Sequence, residues 1–126
     1  MASKRVLLVD DSFGDRLVMT DVFMSAGCRV IGEAKNFEDS LDKIRNLKPD
    51  LVVIDAAIPS IDGVSAVIRI LRQDPDACIL ISASRGQRML ALEGVAAGAK
   101  DFITKPVNLR QLRRTLQGIT YGDRPR

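Results

Sequence analysis

The fold class is indicated most clearly by Leu51-Val52-Val53-Ile54-Asp55, which is followed by Ala56-Ala57-Ile58-Pro59. Four consecutive apolar residues without polar alternation are typical of a strand covered on both faces, as in a parallel sheet. The strand ends on a carboxylate, at the edge where open α/β sheets bind their ligands. Because a charge in such a place is costly when it is unpaired, we expect the rest of the chain to supply partners for Asp55.

The composition describes one globular domain with an aliphatic core. The chain has 126 residues, 46% of them hydrophobic and 28% charged, and only 4% aromatic. These values are ordinary for a single soluble domain. No apolar run reaches the roughly 20 residues of a membrane span, and the N-terminus lacks the layout of a signal peptide. We therefore expect a cytoplasmic protein without membrane insertion, with one domain over residues 1–120 and a polar, frayed tail over residues 121–126.

The absence of His and the scarcity of Cys exclude several kinds of catalytic and metal site. The chain has no His, which excludes a His-based triad, a His-ligated metal and a phosphohistidine carrier within this chain. Its two cysteines, Cys28 and Cys78, stand alone in apolar surroundings. The sequence predicts buried thiols there rather than a disulfide or a metal pair.

Charge is distributed unevenly along the chain. Residues 1–83 carry 10 Lys and Arg against 13 Asp and Glu, whereas residues 84–126 carry 9 against 3. The basic C-terminal third is either a solvated face or a docking surface for an acidic partner. No motif supports direct binding of nucleic acid.

Strand patterns and helix patterns alternate five times with short connections. Apolar runs predict strands at residues 6–9, 29–34, 51–54, 78–81 and 101–104. Apolar positions at helical spacing predict helices at residues 15–26, 37–47, 64–71, 87–97 and 109–119. This alternation indicates an α/β fold in which a five-stranded parallel sheet carries helices on both faces.

Polar groups stand at the carboxyl ends of four of these strands. They are Asp10 with Asp11, Asp55, Ser82 and Lys105. Because all carboxyl ends of a parallel sheet lie at one edge, we expect these side chains to converge. Carboxylates without His or Cys favour a hard cation that keeps some water, and Mg²⁺ is the natural choice.

Such a group of side chains is suited to a phosphoryl group. A divalent metal, an ammonium and a hydroxyl around one carboxylate would bind phosphoryl oxygens, and the carboxylate can act as the nucleophile. Each residue also has a simpler interpretation as a helix cap or an exposed turn. Because polar side chains stand at the ends of four strands of one sheet, a shared phosphoryl-binding site is favoured over four separate caps or turns.

Four motifs make the sequence similar to one family, the receiver domains of two-component signalling. They are Val9-Asp10-Asp11-Ser12 with Arg16, then Asp55-Ala56-Ala57-Ile58-Pro59 leading to Asp62-Gly63, Ile81-Ser82-Ala83, and the run from Gly98 to Pro106. The resemblance covers Val6 to about Gly118. It implies a doubly wound, flavodoxin-like (βα)5 fold with strand order 2-1-3-4-5.

The resemblance also implies roles for the residues at the strand ends. Asp55 would be the phosphoacceptor, with Lys105 and Ser82 completing the catalytic set around the phosphoryl group. The metal ligands for Mg²⁺ would be Asp10, Asp11, Asp55 and the Ala57 backbone carbonyl.

Phosphorylation of Asp55 would then change the conformation of a surface away from the site. The resemblance implies that Ser82 and Phe102 are the switch residues, on a face made by the fourth helix, fifth strand and fifth helix. A downstream protein target would bind there, at Arg88, Phe102, Arg110, Arg113 and Arg114.

These expectations describe a stand-alone receiver, a phosphoacceptor switch rather than a metabolic enzyme, which takes phosphate from a sensor histidine kinase in chemotaxis-type signalling. A phosphorelay intermediate and an isolated receiver of a larger DNA-binding response regulator are the alternatives. A hydrolase of the phosphoaspartyl type would need a carboxylate where this chain has Ala57. A nucleotide-binding protein is disfavoured because no Gly-rich turn follows the first strand.

Overall fold

The computed structural model describes residues 3–119 and residue 121, and within them it contains one five-stranded parallel sheet. The strands are β1 (Arg5–Val9), β2 (Arg29–Ala34), β3 (Leu51–Asp55), β4 (Ile79–Ala83) and β5 (Asp101–Thr104). They lie in the order β2-β1-β3-β4-β5. The predicted α/β fold and the strand order 2-1-3-4-5 are both confirmed.

Each strand is followed by a helix, as the alternation predicted. The helices are α1 (Phe13–Ser25), α2 (Phe37–Leu47), α3 (Gly63–Gln73), α4 (Arg88–Ala96) and α5 (Leu109–Gly118), and a 3₁₀ turn at Arg85–Gln87 leads into α4. Four of the five α-helices begin at a side chain that accepts a hydrogen bond from a backbone amide of the first turn: Ser12, Asn36, Asp62 and Asn108.

Two element boundaries differ from the prediction in ways that affect the site. Helix α1 begins at Phe13, two residues before the predicted start, because the Ser12 side chain caps it by accepting from the Asp15 amide at 3.2 Å. Strand β4 continues to Ala83 instead of ending at Ile81, because Ser82 pairs with Asp55 of β3 and with Ile103 of β5. Ser82 therefore lies inside a strand, which rules out its simpler interpretation as a helix cap.

The sheet is covered on both faces, as the uninterrupted apolar strands required. One face, carrying Leu7 and Val52, packs against α2, α3 and α4. The other face, carrying Leu8 and Val53, packs against α1 and α5. Successive residues of a strand point to opposite faces, so each all-apolar strand contributes to both layers.

The predicted buried thiols are confirmed, since Cys28 and Cys78 are both buried in the layer beneath α1 and α5. Tyr121, the first residue of the predicted tail, packs against the same layer and lies beneath the Lys4 ammonium, 4.2 Å from the ring centroid. The predicted fraying of residues 122–126 lies outside the described residues. None of the helices in the described part of the chain is long and apolar enough to span a bilayer.

Candidate functional site

Asp10 is the most firmly held residue at the carboxyl edge of the sheet. It is fully buried directly after β1. One carboxylate oxygen, Oδ1, accepts from the Ser12 amide at 2.9 Å, and Oδ2 accepts from Lys105 Nζ at 2.7 Å. Its backbone carbonyl accepts from Nη1 of the buried Arg16 at 2.7 Å. These bonds fix the Asp10 carboxylate in place before any ligand arrives.

Asp55 ends β3 in the centre of the sheet and is 7% exposed. Its Oδ1 lies 3.3 Å from Lys105 Nζ, but within the described residues this oxygen is buried and accepts no hydrogen bond. Burial raises the pKa of Asp55 and the charge of Lys105 opposes that rise, while Asp10 adds to it. The Asp55 carboxylate is thus under-neutralised, which favours binding of a further cation.

Asp11 completes a group of three carboxylates that fits such a cation. It is exposed beside the buried Asp10 and Asp55, and one oxygen from each of the three lies within 4.8 Å of the others. Oxygen-only ligands with one open side suit Mg²⁺, which retains several waters. The unpartnered Asp55 oxygen and this donor set together fit the ion that the sequence predicted.

Ala57 was predicted to add a backbone carbonyl to the ion. It is exposed in the turn after β3, and its amide acts to lower the pKa of Asp55. The role of its carbonyl as a metal ligand stays a prediction.

Lys105 follows β5, and its ammonium contacts three carboxylates. Nζ donates to Asp10 at 2.7 Å and to Asp15 at 2.9 Å, and it lies 3.3 Å from Asp55. Burial alone would lower the pKa of Lys105, but the hydrogen bonds to Asp10 and Asp15 and the charge of Asp55 raise it above its ordinary value. Lys105 therefore keeps its charge at this edge of the sheet.

Asp15 was missed as a site residue by sequence reasoning. The signal that could have found it is the Ser12 cap, which places Asp15 in the first turn of α1 next to the Asp10 loop. Its contact with Lys105 joins residues 90 positions apart, and no local pattern predicts such a pair.

Ser82 lies opposite Asp55 in the register of β3 and β4. Its side chain is fully buried, and within the described residues its Oγ has no hydrogen-bond partner. A buried hydroxyl without a partner is uncommon and requires an explanation. An anionic group attached to the neighbouring carboxylate would supply the missing acceptor.

The five residues predicted for partner binding fall into two groups. Phe102 is half-buried on β5, and the Arg88 guanidinium lies 5.5 Å from its ring centroid, within the range of a cation–π contact. Phe102 pairs with Ile81, the residue before Ser82, so this group is one residue from the buried hydroxyl.

The second group lies on α5. Arg110, Arg113 and Arg114 line a shallow concavity of about 390 Å³. Arg113 is directed toward α1, since its Nη2 donates to the carbonyl of Ser25 at 3.2 Å. The role of these five residues in binding a partner stays a prediction.

Known proteins resemble this chain over most of its length. Residues 6–117 match the model of the response regulator receiver domain family. The chemotaxis protein CheY of Thermotoga maritima is 42% identical over 117 residues, which cover 93% of this chain and 98% of the relative. The CheY of Bacillus subtilis is 36% identical over 91% of this chain and 93% of its own length.

A solved structure gives the same result for the fold. A crystal structure of the CheX–CheY–BeF₃–Mg²⁺ complex from Borrelia burgdorferi aligns with a TM-score of 0.81 and 28% identity, over 90% of this chain and 87% of that one. Sequence and fold therefore agree with each other and with the carboxylate edge described above. The chain belongs to the response regulator receiver domain family.

Proposed function

We propose that the protein is a stand-alone receiver that accepts a phosphoryl group from the histidine of a sensor kinase onto Asp55. The observation that carries the proposal is the Asp55 carboxylate itself. It is buried with one oxygen lacking a hydrogen-bond partner among the described residues, beside a lysine, a buried hydroxyl and two further carboxylates. A nucleophilic carboxylate for phosphoryl transfer needs these neighbours.

The transfer forms a bond between a carboxylate oxygen of Asp55 and phosphorus. The bond from phosphorus to the donor's imidazole nitrogen breaks, and that nitrogen keeps the electron pair. Asp10, Asp11, Asp55 and the Ala57 carbonyl would hold Mg²⁺, which supplies positive charge for the phosphoryl oxygens. Lys105, already 3.3 Å from Asp55, adds a second positive charge from another direction.

The same chemistry would switch a distant surface. An aspartyl-phosphate adds a large negative charge next to Ser82, whose unpartnered hydroxyl can then donate to a phosphoryl oxygen. Ile81 and Phe102 are paired across β4 and β5, so a shift of Ser82 is passed to the half-buried Phe102 ring. The Arg88 guanidinium above that ring would move with it, changing the surface that a target protein binds.

A chemotaxis-type role in the cytoplasm is the form of the proposal that we favour. It is supported by the two CheY relatives, which match this chain over nearly their whole length. The phosphoryl group would leave by self-catalysed hydrolysis. Ala57 offers no acid–base carboxylate, which argues against a phosphoaspartyl hydrolase acting on other substrates. A phosphorelay intermediate and a receiver of a larger DNA-binding regulator are the remaining alternatives.

The proposal is tested by intact-mass measurement after incubation with acetyl phosphate, with and without Mg²⁺. We expect a Mg²⁺-dependent gain of one phosphoryl group that is abolished by Asp55→Asn. The matched control is Asp76→Asn, which removes an exposed carboxylate before β4 and should label like the wild type. Decay within seconds supports the chemotaxis role and decay over hours supports a relay, whereas Mg²⁺-independent labelling of Asp55→Asn would contradict the proposal.

A further inference from the structure

Asp15 places a fourth carboxylate against the site, on a residue that the proposed mechanism does not use. Its Oδ2 accepts a hydrogen bond from Lys105 Nζ at 2.9 Å, and its side chain is 45% exposed. Asp15 is not part of the three-carboxylate group that fits a metal ion in the described residues. Its contact with the site is therefore through Lys105.

Lys105 donates its hydrogen bonds to Asp10 and Asp15 and not to Asp55, the residue that would receive the phosphoryl group. An ammonium has three N–H donors. Two of them are used by Asp10 and Asp15, while Asp55, the acceptor of the phosphoryl group, lies at 3.3 Å without a hydrogen bond. The third N–H remains for a phosphoryl oxygen, but the bonds to Asp10 and Asp15 fix the direction in which it can point.

The two competing partners differ in what a metal ion would do to them. Asp10 belongs to the metal-binding group, so a bound cation would neutralise it and weaken its hold on Lys105. Asp15 lies outside that group and would keep its full charge. Asp15 is thus the anion that still competes with the phosphoryl group for Lys105 when the site is loaded.

We propose that Asp15 is a positioning residue that restrains Lys105 in the resting protein and so slows phosphorylation of Asp55. The proposal rests on the proposed function, because it assigns Asp15 an effect on that same transfer. It predicts that removing the Asp15 charge releases Lys105 for the incoming phosphoryl group. Retaining a carboxylate at this position with one more methylene should preserve the restraint.

A purely structural role must be distinguished from this one. Asp15 lies in the first turn of α1, where a negative charge interacts favourably with the helix dipole. Asp15→Asn loses that interaction and Asp15→Glu keeps it, so thermal unfolding of both variants reports the structural contribution. A structural role alone would make Asp15→Asn phosphorylate no faster than the wild type.

The experiment compares wild type, Asp15→Asn, Asp15→Glu and the control Asp21→Asn at saturating Mg²⁺. Asp21 is exposed on the same helix, so Asp21→Asn makes the same change in net charge away from Lys105. Two quantities are measured: the initial rate of phosphoryl gain from acetyl phosphate, and the affinity for beryllofluoride, a non-covalent phosphoryl mimic, by NMR titration.

For Asp15→Asn we expect both quantities to rise about fivefold, which corresponds to about 1 kcal/mol for a partly exposed ion pair. Asp15→Glu and Asp21→Asn should stay within twofold of the wild type. Equal gains in Asp15→Asn and Asp21→Asn, or no gain in Asp15→Asn, would overturn the proposal. A wild type that neither gains phosphate nor binds beryllofluoride would instead contradict the proposed function, so the two failures are distinguishable.

Discussion

Replacing Ser82 by alanine should stabilise the resting protein and weaken its phosphorylated state. The Ser82 Oγ is fully buried and has no hydrogen-bond partner within the described residues. A buried polar group that lacks a partner costs about 1–3 kcal/mol. Ser82→Ala removes that cost and leaves only a very small cavity, so we expect the free energy of unfolding to rise by about 1 kcal/mol.

When a phosphoryl mimic is bound, Ser82→Ala should destabilise the protein instead of stabilising it. In the wild type the Ser82 hydroxyl would then donate to a fluorine of the anionic beryllofluoride, which stands in for a phosphoryl oxygen, and a hydrogen bond to a charged group is worth about 1.5–3 kcal/mol. Taking 2 kcal/mol as typical of that range, Ser82→Ala should bind beryllofluoride about 30-fold more weakly in the presence of Mg²⁺. Urea denaturation with and without Mg²⁺ and beryllofluoride measures both effects on the same samples.

Ser40 provides the matched control for this experiment. It is also fully buried, but its Oγ donates to the carbonyl of Phe37 at 2.5 Å. Ser40→Ala should therefore destabilise the protein by about 1 kcal/mol and leave beryllofluoride affinity unchanged. Two results would contradict this role of Ser82: a Ser82→Ala variant that is destabilised in the resting state as Ser40→Ala is, or one that binds beryllofluoride like the wild type.

Three further predictions concern the charge cluster and the packing behind it. Burial raises the pKa of Asp55 above its ordinary 3.8, so the metal-free folded protein binds a proton at Asp55 more readily than the unfolded chain does. The contribution of Asp55 to the free energy of unfolding therefore falls as the pH rises through the folded-state pKa. At pH 7, with metal removed by a chelator, Asp55→Asn should thus have a higher free energy of unfolding than the wild type, and this difference should disappear below about pH 4. A difference that stays constant across this pH range would contradict the raised pKa of Asp55. Lys105→Met leaves the fully buried Asp10 carboxylate without the cation that pairs with it and should lower the unfolding free energy by about 2 kcal/mol without metal, a loss that Mg²⁺ partly restores in urea denaturation; an unchanged free energy would be inconsistent with the ion pairs. Gly94→Ala would place Cβ 2.1 Å from Cδ1 of the buried Ile81, so a loss of about 2 kcal/mol is expected from overpacking, and full stability in thermal unfolding would argue against this packing.

The sheet was predictable from the sequence because its signals are local. An unbroken apolar run such as Leu51–Asp55 identifies a strand buried on both faces, and the polar residue that ends it marks the edge where the site lies. Asp10, Asp55 and Lys105 converge because parallel strands share that edge.

The parts that were missed depend on contacts between distant residues. Strand β4 extends through Ser82 because Asp55 and Ile103 pair with it from either side, which no pattern within the strand reveals. The Asp15–Lys105 ion pair depends on how α1 docks beside the loop after β5. The contact of Arg113 with the Ser25 carbonyl depends on which side of α5 faces α1.

Chemical trapping identifies which residue carries the phosphoryl group, and we propose that this residue is Asp55. Borohydride reduces an acyl phosphate to an alcohol, so a phosphorylated aspartate is converted to homoserine, which peptide mass spectrometry locates in the sequence. After treatment with acetyl phosphate, we expect homoserine at position 55 when Mg²⁺ is present and none when it is chelated. Homoserine at Asp10 or Asp11 instead, or at position 55 regardless of Mg²⁺, would contradict it.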